Sequence, residues 1–142
     1  MSQKRIIIST HSGTQSVRTY AVNWCISEYV IVSFALPFKY VGYNKRVAEQ
    51  TGPIGRELIV SLSGIPGLTD GFLKPNLLQL ERTEAATWSD VEHGIIAALI
   101  ETLPADEQSS VVVAYSAGRV PSDQDSLNII GELQSVRDHL VR

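Results

Sequence analysis

The chain has 142 residues, a length that fits one domain with a single sizeable core and leaves little room for long appended segments. Its composition, 44% hydrophobic and 19% charged, is typical of a globular protein and excludes general disorder. The net charge of -3 provides no global positive field, which disfavours general nucleic-acid binding.

Cysteine content and hydropathy indicate the compartment. A single cysteine, Cys25, excludes an intramolecular disulfide. The first residues contain too short an apolar run for a signal peptide, and no apolar stretch reaches the roughly 18 to 20 residues that cross a membrane. We therefore predict a cytoplasmic protein that binds neither a membrane nor nucleic acid.

The first fifty residues are rich in strand-forming side chains. Residues 4–10 predict a first strand, which turn-forming residues follow. Residues 18–24 and 28–34 predict two antiparallel strands, and the three residues between them are few enough to form a hairpin turn. Residues 36–50 show neither the helical nor the strand period and predict a loop, with room for a helical turn before Gln50.

Helical and strand patterns alternate in the middle of the chain. A cap candidate and an early proline predict a helix over residues 53–63. Residues 68–74 and 76–82 predict a strand pair with a Pro-Asn turn between them. Thr87, followed three residues later by Asp90, forms a capping pattern before a helix with apolar residues at helical spacing.

The last forty residues predict a strand and a helix. Residues 111–115 are apolar, and residues 127–141 place Leu127, Ile130, Leu133, Val136 and Leu140 on one helical face. The order of elements predicts an α+β fold, in which two or three helices pack on a largely antiparallel sheet. We expect residues 1–103 to form this domain and residues 104–142 to form a strand–helix extension packed on it.

Few residues suit catalysis or metal binding. One cysteine and three scattered histidines predict no metal site and no cofactor. Cys25 lies at the predicted hairpin turn, where a small, partly buried side chain is a better interpretation than a reactive thiol. Ser116, within the sequence AYSAG, lacks the first glycine of a nucleophile elbow. We therefore predict no catalytic residue.

A basic stretch is the remaining site candidate. Lys39, Lys45, Arg46 and Arg56 surround a glycine-containing helix start, whose backbone N–H groups and dipole suit an anion. The stretch lacks the spacing of a phosphate loop, so a solvated basic loop is favoured over an anion site. Two tyrosines among these bases suit a protein surface equally well.

Three features follow one another over residues 52–103. An apolar helix runs into Ile65-Pro66-Gly67-Leu68, a hairpin ends in Glu81-Arg82, and Trp88 opens a helix that contains Ile96 and Leu99. In this order and spacing they resemble the N-terminal domain of Nfu-type iron–sulfur scaffold proteins. The chain departs from that family at residues 10–14, where the family has a T-P-N-P-N-type segment. It also departs at residues 104–142, which contain no counterpart of the C-x-x-C cluster motif.

The resemblance implies a non-enzymatic protein-interaction domain. Its role would be that of an accessory in iron–sulfur cluster assembly or delivery, with an iron–sulfur carrier or client as its protein partner. Two alternatives remain open from the residues themselves. One is a small domain or enzyme that binds an anion or phosphometabolite with loop 39–56, and the other is a homodimer or larger assembly formed through the edge potential of residues 28–34.

Overall fold

The computed structural model of the chain describes residues 3–11 and 14–116. The strands and helices in this part of the chain are β1 (Arg5–His11), β2 (Thr14–Val22), β3 (Val32–Ala35), α1 (Tyr43–Gln50), α2 (Gly52–Ser63), β4 (Leu68–Lys74), β5 (Leu77–Arg82), α3 (Trp88–Ile100), α4 (Ala105–Gln108) and β6 (Val112–Tyr115). The strands form one six-stranded sheet in the order β3-β4-β5-β2-β1-β6. Its strand pairs are antiparallel except for β1 with β6, so the predicted α+β fold is confirmed.

The core lies between one face of the sheet and helices α2 and α3. Strand residues alternate between the two faces, so Tyr20, Leu78 and Leu80 point into the core and are fully or almost fully buried. Helix α2 contributes Leu58, Ile59 and Leu62, and α3 contributes Val91, Ile95 and Leu99. Burial of each such side chain contributes about 1.5–3 kcal/mol, which makes this layer the main source of stability.

The helices and the hairpin of the central region follow the sequence pattern. Helix α2, the β4–β5 hairpin and α3 lie where the pattern predicts them. Thr87 Oγ1 accepts a hydrogen bond from the Asp90 N–H at 3.2 Å, and Asp90 Oδ2 accepts one from the Thr87 N–H at 3.0 Å. This reciprocal capping box satisfies two N–H groups at the start of α3 and confirms the predicted start of the helix.

The predicted hairpin between residues 18–24 and 28–34 is wrong. Strands β2 and β3 do not pair, because β5 and β4 lie between them in the sheet. Residues 23–31 instead form a loop across the end of the sheet, in which Trp24 and Ile26 are buried. The Ile26 N–H donates to the Pro75 carbonyl at 2.7 Å, and the Asn76 side chain donates to the Trp24 carbonyl at 2.8 Å. Loop 23–31 is therefore held by contacts with the β4–β5 turn, and the hairpin turn predicted at residues 25–27 does not form.

Residues 36–50 contain more helix than the sequence predicts. Helix α1 has eight residues, packs on α2 and buries Val47 and Ala48. Its other six side chains are exposed, so the apolar face of the helix consists of only two small residues and gives a weak signal in the sequence. An isolated helix of eight residues is marginal in water, so the contact of α1 with α2 supports it.

The chain continues from α3 through α4 to β6, which joins the sheet edge beside β1. The strand predicted over residues 111–115 is thus confirmed. The helix predicted over residues 127–141 lies outside the described residues.

None of the helices in residues 3–11 and 14–116 is long and apolar enough to cross a membrane.

Candidate interaction surface

Exposed apolar side chains concentrate in one part of the described chain. Every large apolar side chain that is exposed in residues 3–11 and 14–116 belongs to the stretch from 29 to 60. We call this set the apolar surface; its members are Tyr29, Val30, Ile31, Tyr40, Val41, Tyr43, Ile54 and Val60. Exposed apolar patches rimmed by polar residues are typical of protein interaction sites.

Loop 23–31 is attached to the junction between α1 and α2. The Glu28 N–H donates to the Thr51 carbonyl at 2.8 Å, and the Glu28 side chain lies against Gly52. Gly52 has a φ of 84°, and a Cβ at this position would lie 2.2 Å from Glu28 Oε2. Glycine therefore permits both the backbone conformation and the close approach that hold Tyr29 to Ile31 beside the start of α2.

The loop before α1 runs alongside α2. The Phe38 N–H donates to Ser63 Oγ at 2.7 Å, and the Tyr40 hydroxyl donates to Glu49 Oε1 of α1 at 3.2 Å. Gly42, with a φ of 57°, forms the turn into α1. These contacts place Tyr40, Val41 and Tyr43 at the start of α1.

Two cavities flank the outer face of α2. The larger, about 410 Å³, is lined by Tyr40, Arg56, Glu57, Val60 and Ser61. The smaller, about 150 Å³, lies between α2 and α3 and includes Ile54 in its lining. Both cavities share Glu57 and Ser61, which lie four residues apart on the same side of α2. The apolar surface therefore has concave regions that can receive partner side chains.

The four predicted basic residues lie on or beside this surface. Lys39, Lys45, Arg46 and Arg56 are exposed, and none of them forms an ion pair within the described residues. Residues 28–63 contain four Lys or Arg and three Glu, against 12 basic and 15 acidic residues in the whole chain. The surface is thus a mildly basic part of an acidic protein. Arg56 shares its cavity with Glu57, which makes that cavity less suited to a small anion.

The sequence predicts Cys25 as a partly buried residue in a hairpin turn, and the structure contradicts both parts of this prediction. Its side chain is exposed in loop 23–31, where Sγ donates to the Ser27 carbonyl at 3.2 Å. In the described part of the chain, no group of three or more His, Cys, Asp and Glu side chains is arranged to hold a metal ion. Ser116 directly follows β6 and is the last of the described residues.

Sequence reasoning missed a buried polar cluster between α3 and the sheet. Glu92 is fully buried, and its carboxylate accepts hydrogen bonds from Arg18, Tyr20 and Tyr115, each at 2.7 Å. The Arg18 guanidinium lies 4.7 Å from the centroid of the Trp88 ring. A signal was present: Glu92 lies among Trp88, Val91 and Ile95 on the apolar side of the helix.

The cluster alters the proton affinities of its members. Burial, assisted by the Glu92 carboxylate, raises the pKa of both Tyr20 and Tyr115 above the usual value for tyrosine. Burial lowers the pKa of Arg18, but the Glu92 carboxylate, together with Tyr115 and Tyr20, outweighs this effect, so the pKa of Arg18 is raised. Because Arg18 is 2% exposed and Glu92 is 0% exposed, the cluster joins α3 to the sheet and presents no open binding site.

The fold and the surface together define an α+β domain with an exposed apolar face. No family model and no curated protein matches the chain. Among solved structures, protein SAV1430 from Staphylococcus aureus is similar over 67% of this chain and 98% of its own chain, at 10% sequence identity and a TM-score of 0.46. A likeness of this size shows neither a family nor a function.

Proposed function

We propose that the chain is a non-enzymatic protein-interaction domain that binds its partner through the apolar surface. The supporting observation is that the exposed large apolar side chains of the described residues all come from the stretch 29–60. Scattered single exposed residues need no explanation, whereas a concentration of this kind does. The partner is a protein, since the surface combines aromatic and aliphatic side chains with shallow cavities.

Burial of a few of these side chains is enough for specific binding. Val30 and Tyr43 are 74% and 75% exposed, so each has most of its surface available to a partner. Complete burial of such a side chain contributes about 1.5–3 kcal/mol, and a micromolar complex requires about 8 kcal/mol in total. Three tyrosines in the set are suitable anchors, because tyrosine is enriched among residues that dominate interface energies.

The narrower form of the proposal is that the partner is an iron–sulfur carrier or client protein. Its support is the sequence resemblance of residues 52–103 to the N-terminal domain of Nfu-type scaffold proteins. The fold and the apolar surface would suit many partners, so the iron–sulfur identity of the partner depends on the sequence resemblance. The identity of the captured proteins tests it.

A second copy of the chain is the other candidate partner. Strand β3 lies at an edge of the sheet, and Tyr29, Val30 and Ile31 precede it directly. An accessible edge strand next to apolar side chains favours strand pairing between identical chains. Light scattering over a concentration series separates this candidate from the first, because self-association would appear without any added protein.

The test is affinity capture from the native cytosol with three full-length baits. The first is the natural chain, the second is Val30→Ser/Tyr43→Ser, and the third is the control Glu84→Ser/Ser109→Ala, which changes exposed residues outside the apolar surface. We expect iron–sulfur assembly or client proteins on the natural and control baits. The loss of two apolar side chains should reduce their recovery on the second bait by at least about tenfold.

Two results would contradict the proposal at different levels. Equal recovery on all three baits would show that the apolar surface does not bind the partner. Capture that depends on Val30 and Tyr43 but contains no iron–sulfur protein would retain the interaction domain and reject the iron–sulfur role.

A further inference from the structure

Strand β3 forms one edge of the sheet, and half of its backbone groups point away from the sheet. The Leu36 N–H donates to the Thr69 carbonyl at the end of this strand pair, at 2.8 Å. Because N–H and C=O groups alternate in direction along a strand, Phe34 also faces β4, whereas Ser33 and Ala35 face away from it. No hydrogen bond joins the backbone of Ser33 or Ala35 to a loop or helix of the described chain. Two N–H and two C=O groups are therefore open to an added strand.

The sequence of this edge is suited to strand pairing. Residues 29–36 contain no charged residue, no proline and no glycine, and most of them are β-branched or aromatic. Strand β3 has no bulge, and both Ser33 and Ala35 are exposed. Apart from its short length, the edge lacks the charges, prolines and bulges that prevent pairing with another chain. Such an edge is typical of sheets that accept an extended segment of another protein.

The side chains beside the edge determine which segment fits. Ser33 and Ala35 are small, and their cross-strand partners on β4 are Phe72 and Asp70. A trough of about 420 Å³ lies over these four residues, and most of its lining is apolar. Because Ser33 is small, an apolar side chain next to it on an added strand would reach the partly buried Phe72 ring.

Negative charge lies beside Ala35. Asp70 pairs with Ala35 on one side and with Glu81 on the other, and neither acidic side chain forms an ion pair within the described residues. Like charges directly opposite destabilise a sheet, and a basic side chain would relieve this repulsion. An added strand would lie about 10 Å from β4, a distance that the side chains of Arg and Asp span together. Lys74 lies beside Phe72, with Nζ 5.8 Å from the ring centroid, so a basic side chain is favoured at Ala35 and not at Ser33.

We propose that the protein partner adds an extended segment to the free edge of β3, with an apolar side chain beside Ser33 and an arginine or lysine beside Ala35. These two side chains are two residues apart in the segment, since alternate residues of a strand share a face. The inference rests on the proposed function, because Tyr29, Val30 and Ile31 of the apolar surface lead directly into β3. Backbone pairing would provide affinity, and the two side chains would provide specificity.

A peptide titration of the isotope-labelled full-length chain, followed by NMR, tests the proposal. The probe is acetyl-Thr-Val-Thr-Arg-Thr-Val-Thr-amide, which places Val two residues from Arg in either strand direction. One control peptide has Glu in place of Arg, and another carries N-methyl groups on its internal peptide nitrogens. We expect no binding of the N-methylated peptide and binding of the Glu peptide that is weaker than that of the probe by about fivefold. The variant Asp70→Asn/Glu81→Gln should lose this preference for Arg.

Hydrogen exchange shows whether the probe binds at the edge. In the chain without peptide, the amide protons of Ser33 and Ala35 should exchange rapidly, and that of Phe34, which faces β4, should exchange slowly. When about nine-tenths of the chain carries the probe, exchange at Ser33 and Ala35 should slow by about tenfold, because it proceeds only from the free fraction. Unchanged exchange would overturn the proposal. Slow exchange without peptide would also overturn it, since the edge would already be occupied, by a second copy or by the chain itself.

A proline substitution tests the outward N–H group directly. Ala35→Pro removes this donor and leaves the groups that face β4 in place, as proline at the outer side of an edge strand does. The matched control Ala35→Ser retains the donor and a small side chain. We expect Ala35→Pro to weaken binding of the probe by about fivefold and Ala35→Ser to leave it unchanged. Equal binding by the two variants would contradict the proposal. If Ala35→Pro does not fold, the N-methylated peptide tests the same hydrogen bonds in the natural chain.

Partner capture separates this inference from the proposed function. Recovery of the partner should fall on an Ala35→Pro bait and persist on an Ala35→Ser bait. If the probe does not bind and capture survives Ala35→Pro but is lost in Val30→Ser/Tyr43→Ser, the proposed function stands and this inference alone is rejected. If the probe binds but capture does not depend on Val30 and Tyr43, the apolar surface is rejected as the partner site and the edge of β3 is retained.

Discussion

Glu92 joins α3 to the sheet through side-chain hydrogen bonds. Its carboxylate lies in the core and accepts hydrogen bonds from two side chains of β2 and one of β6. A buried carboxylate is strongly unfavourable unless it is paired and hydrogen-bonded, and here Arg18 supplies the opposite charge. The arrangement therefore contributes specificity, because a shifted helix would leave the carboxylate without these donors.

Replacement of Glu92 by glutamine should destabilise the fold. Glu92→Gln keeps the size of the side chain but removes the charge that faces the buried Arg18 guanidinium, at a cost of about 3 kcal/mol. Urea unfolding monitored by tryptophan fluorescence measures this loss. Glu84→Gln, at an exposed position, should change the free energy of unfolding by less than about 0.5 kcal/mol. Equal stability of the two variants would contradict the structural role of the cluster.

The tyrosines of the cluster predict loss of stability at alkaline pH. Burial raises the pKa of Tyr20 well above 10.0, so the folded protein keeps a proton that the unfolded chain releases above about pH 10. The unfolded state then binds fewer protons, and stability falls with rising pH by up to about 1.4 kcal/mol per pH unit from this group. Below that range the contribution is fully present.

Urea unfolding between pH 8 and pH 11 tests the linkage. Tyr20→Phe should lower stability at pH 8 through the lost hydrogen bond to Glu92, but its stability should fall less steeply with pH than that of the natural chain. The exposed Tyr29 provides the control Tyr29→Phe. If stability fell equally steeply with pH in Tyr20→Phe and in the natural chain, Tyr20 would have the same pKa in the folded and unfolded states.

At the scale of elements, the edge strand β3 depends on close packing against β4. Phe34 and Gly71 are cross-strand partners, and the Phe34 ring lies over Gly71, where an added Cβ would come within 2.3 Å of the ring. Phe34 is also in contact with Phe38, at a ring-centroid distance of 6.3 Å and an interplanar angle of 86°. The ring therefore joins the edge strand to the loop that leads to α1.

A methyl group at Gly71 should disturb this packing. Gly71→Ala forces the Phe34 ring to move, and overpacking of this kind costs about 1–3 kcal/mol. Gly64→Ala is a matched control, because the nearest atom to its Cβ would be the Ser61 carbonyl oxygen at 3.4 Å. Chemical denaturation compares the two variants. A Gly71→Ala protein as stable as Gly64→Ala would show that the Phe34 ring can leave its position over residue 71 at little cost.

Elements with strong local signals follow their sequence prediction, and those that depend on distant partners do not. Helix α3 begins at its capping box, and the β4–β5 hairpin turns at Pro75 and Asn76, because both signals act within a few residues. The predicted hairpin around Cys25 fails because β2 finds a longer partner in β5, far away in the sequence. The buried position of Glu92 was visible as an acid on an apolar helix side, but its partners were not.

At the scale of the whole molecule, the fold separates stability from binding. The core lies between the sheet and helices α2 and α3, whereas the apolar surface lies on α2 and on the loops and helix between β2 and α2. Its most exposed side chains contribute little to the packing of the core. Changes there should therefore affect association and leave folding intact.

The double variant Val30→Ser/Tyr43→Ser tests this separation. We expect its free energy of unfolding to stay within about 1 kcal/mol of the natural chain, since exposed substitutions each change stability by about 0.5 kcal/mol or less. Binding of a hydrophobic fluorescent dye should decrease. A large fall in the urea midpoint, dependent on protein concentration, would instead show that these side chains are buried in a self-assembled form.

Local patterns in the sequence were sufficient for the α+β class, for helices α2 and α3 and for the β4–β5 hairpin, because caps, turns and periodicity act over a few residues. Tertiary structure decided the strand order, the loop around Cys25, the pairing of Glu92 with Arg18 and the position of the apolar surface. These features depend on contacts between residues far apart in the sequence, such as Arg18 with Glu92 and Glu28 with Thr51. Exposure, too, is a property of packing: Val30 and Val32 are alike in the sequence, yet the first is 74% exposed and the second 7%.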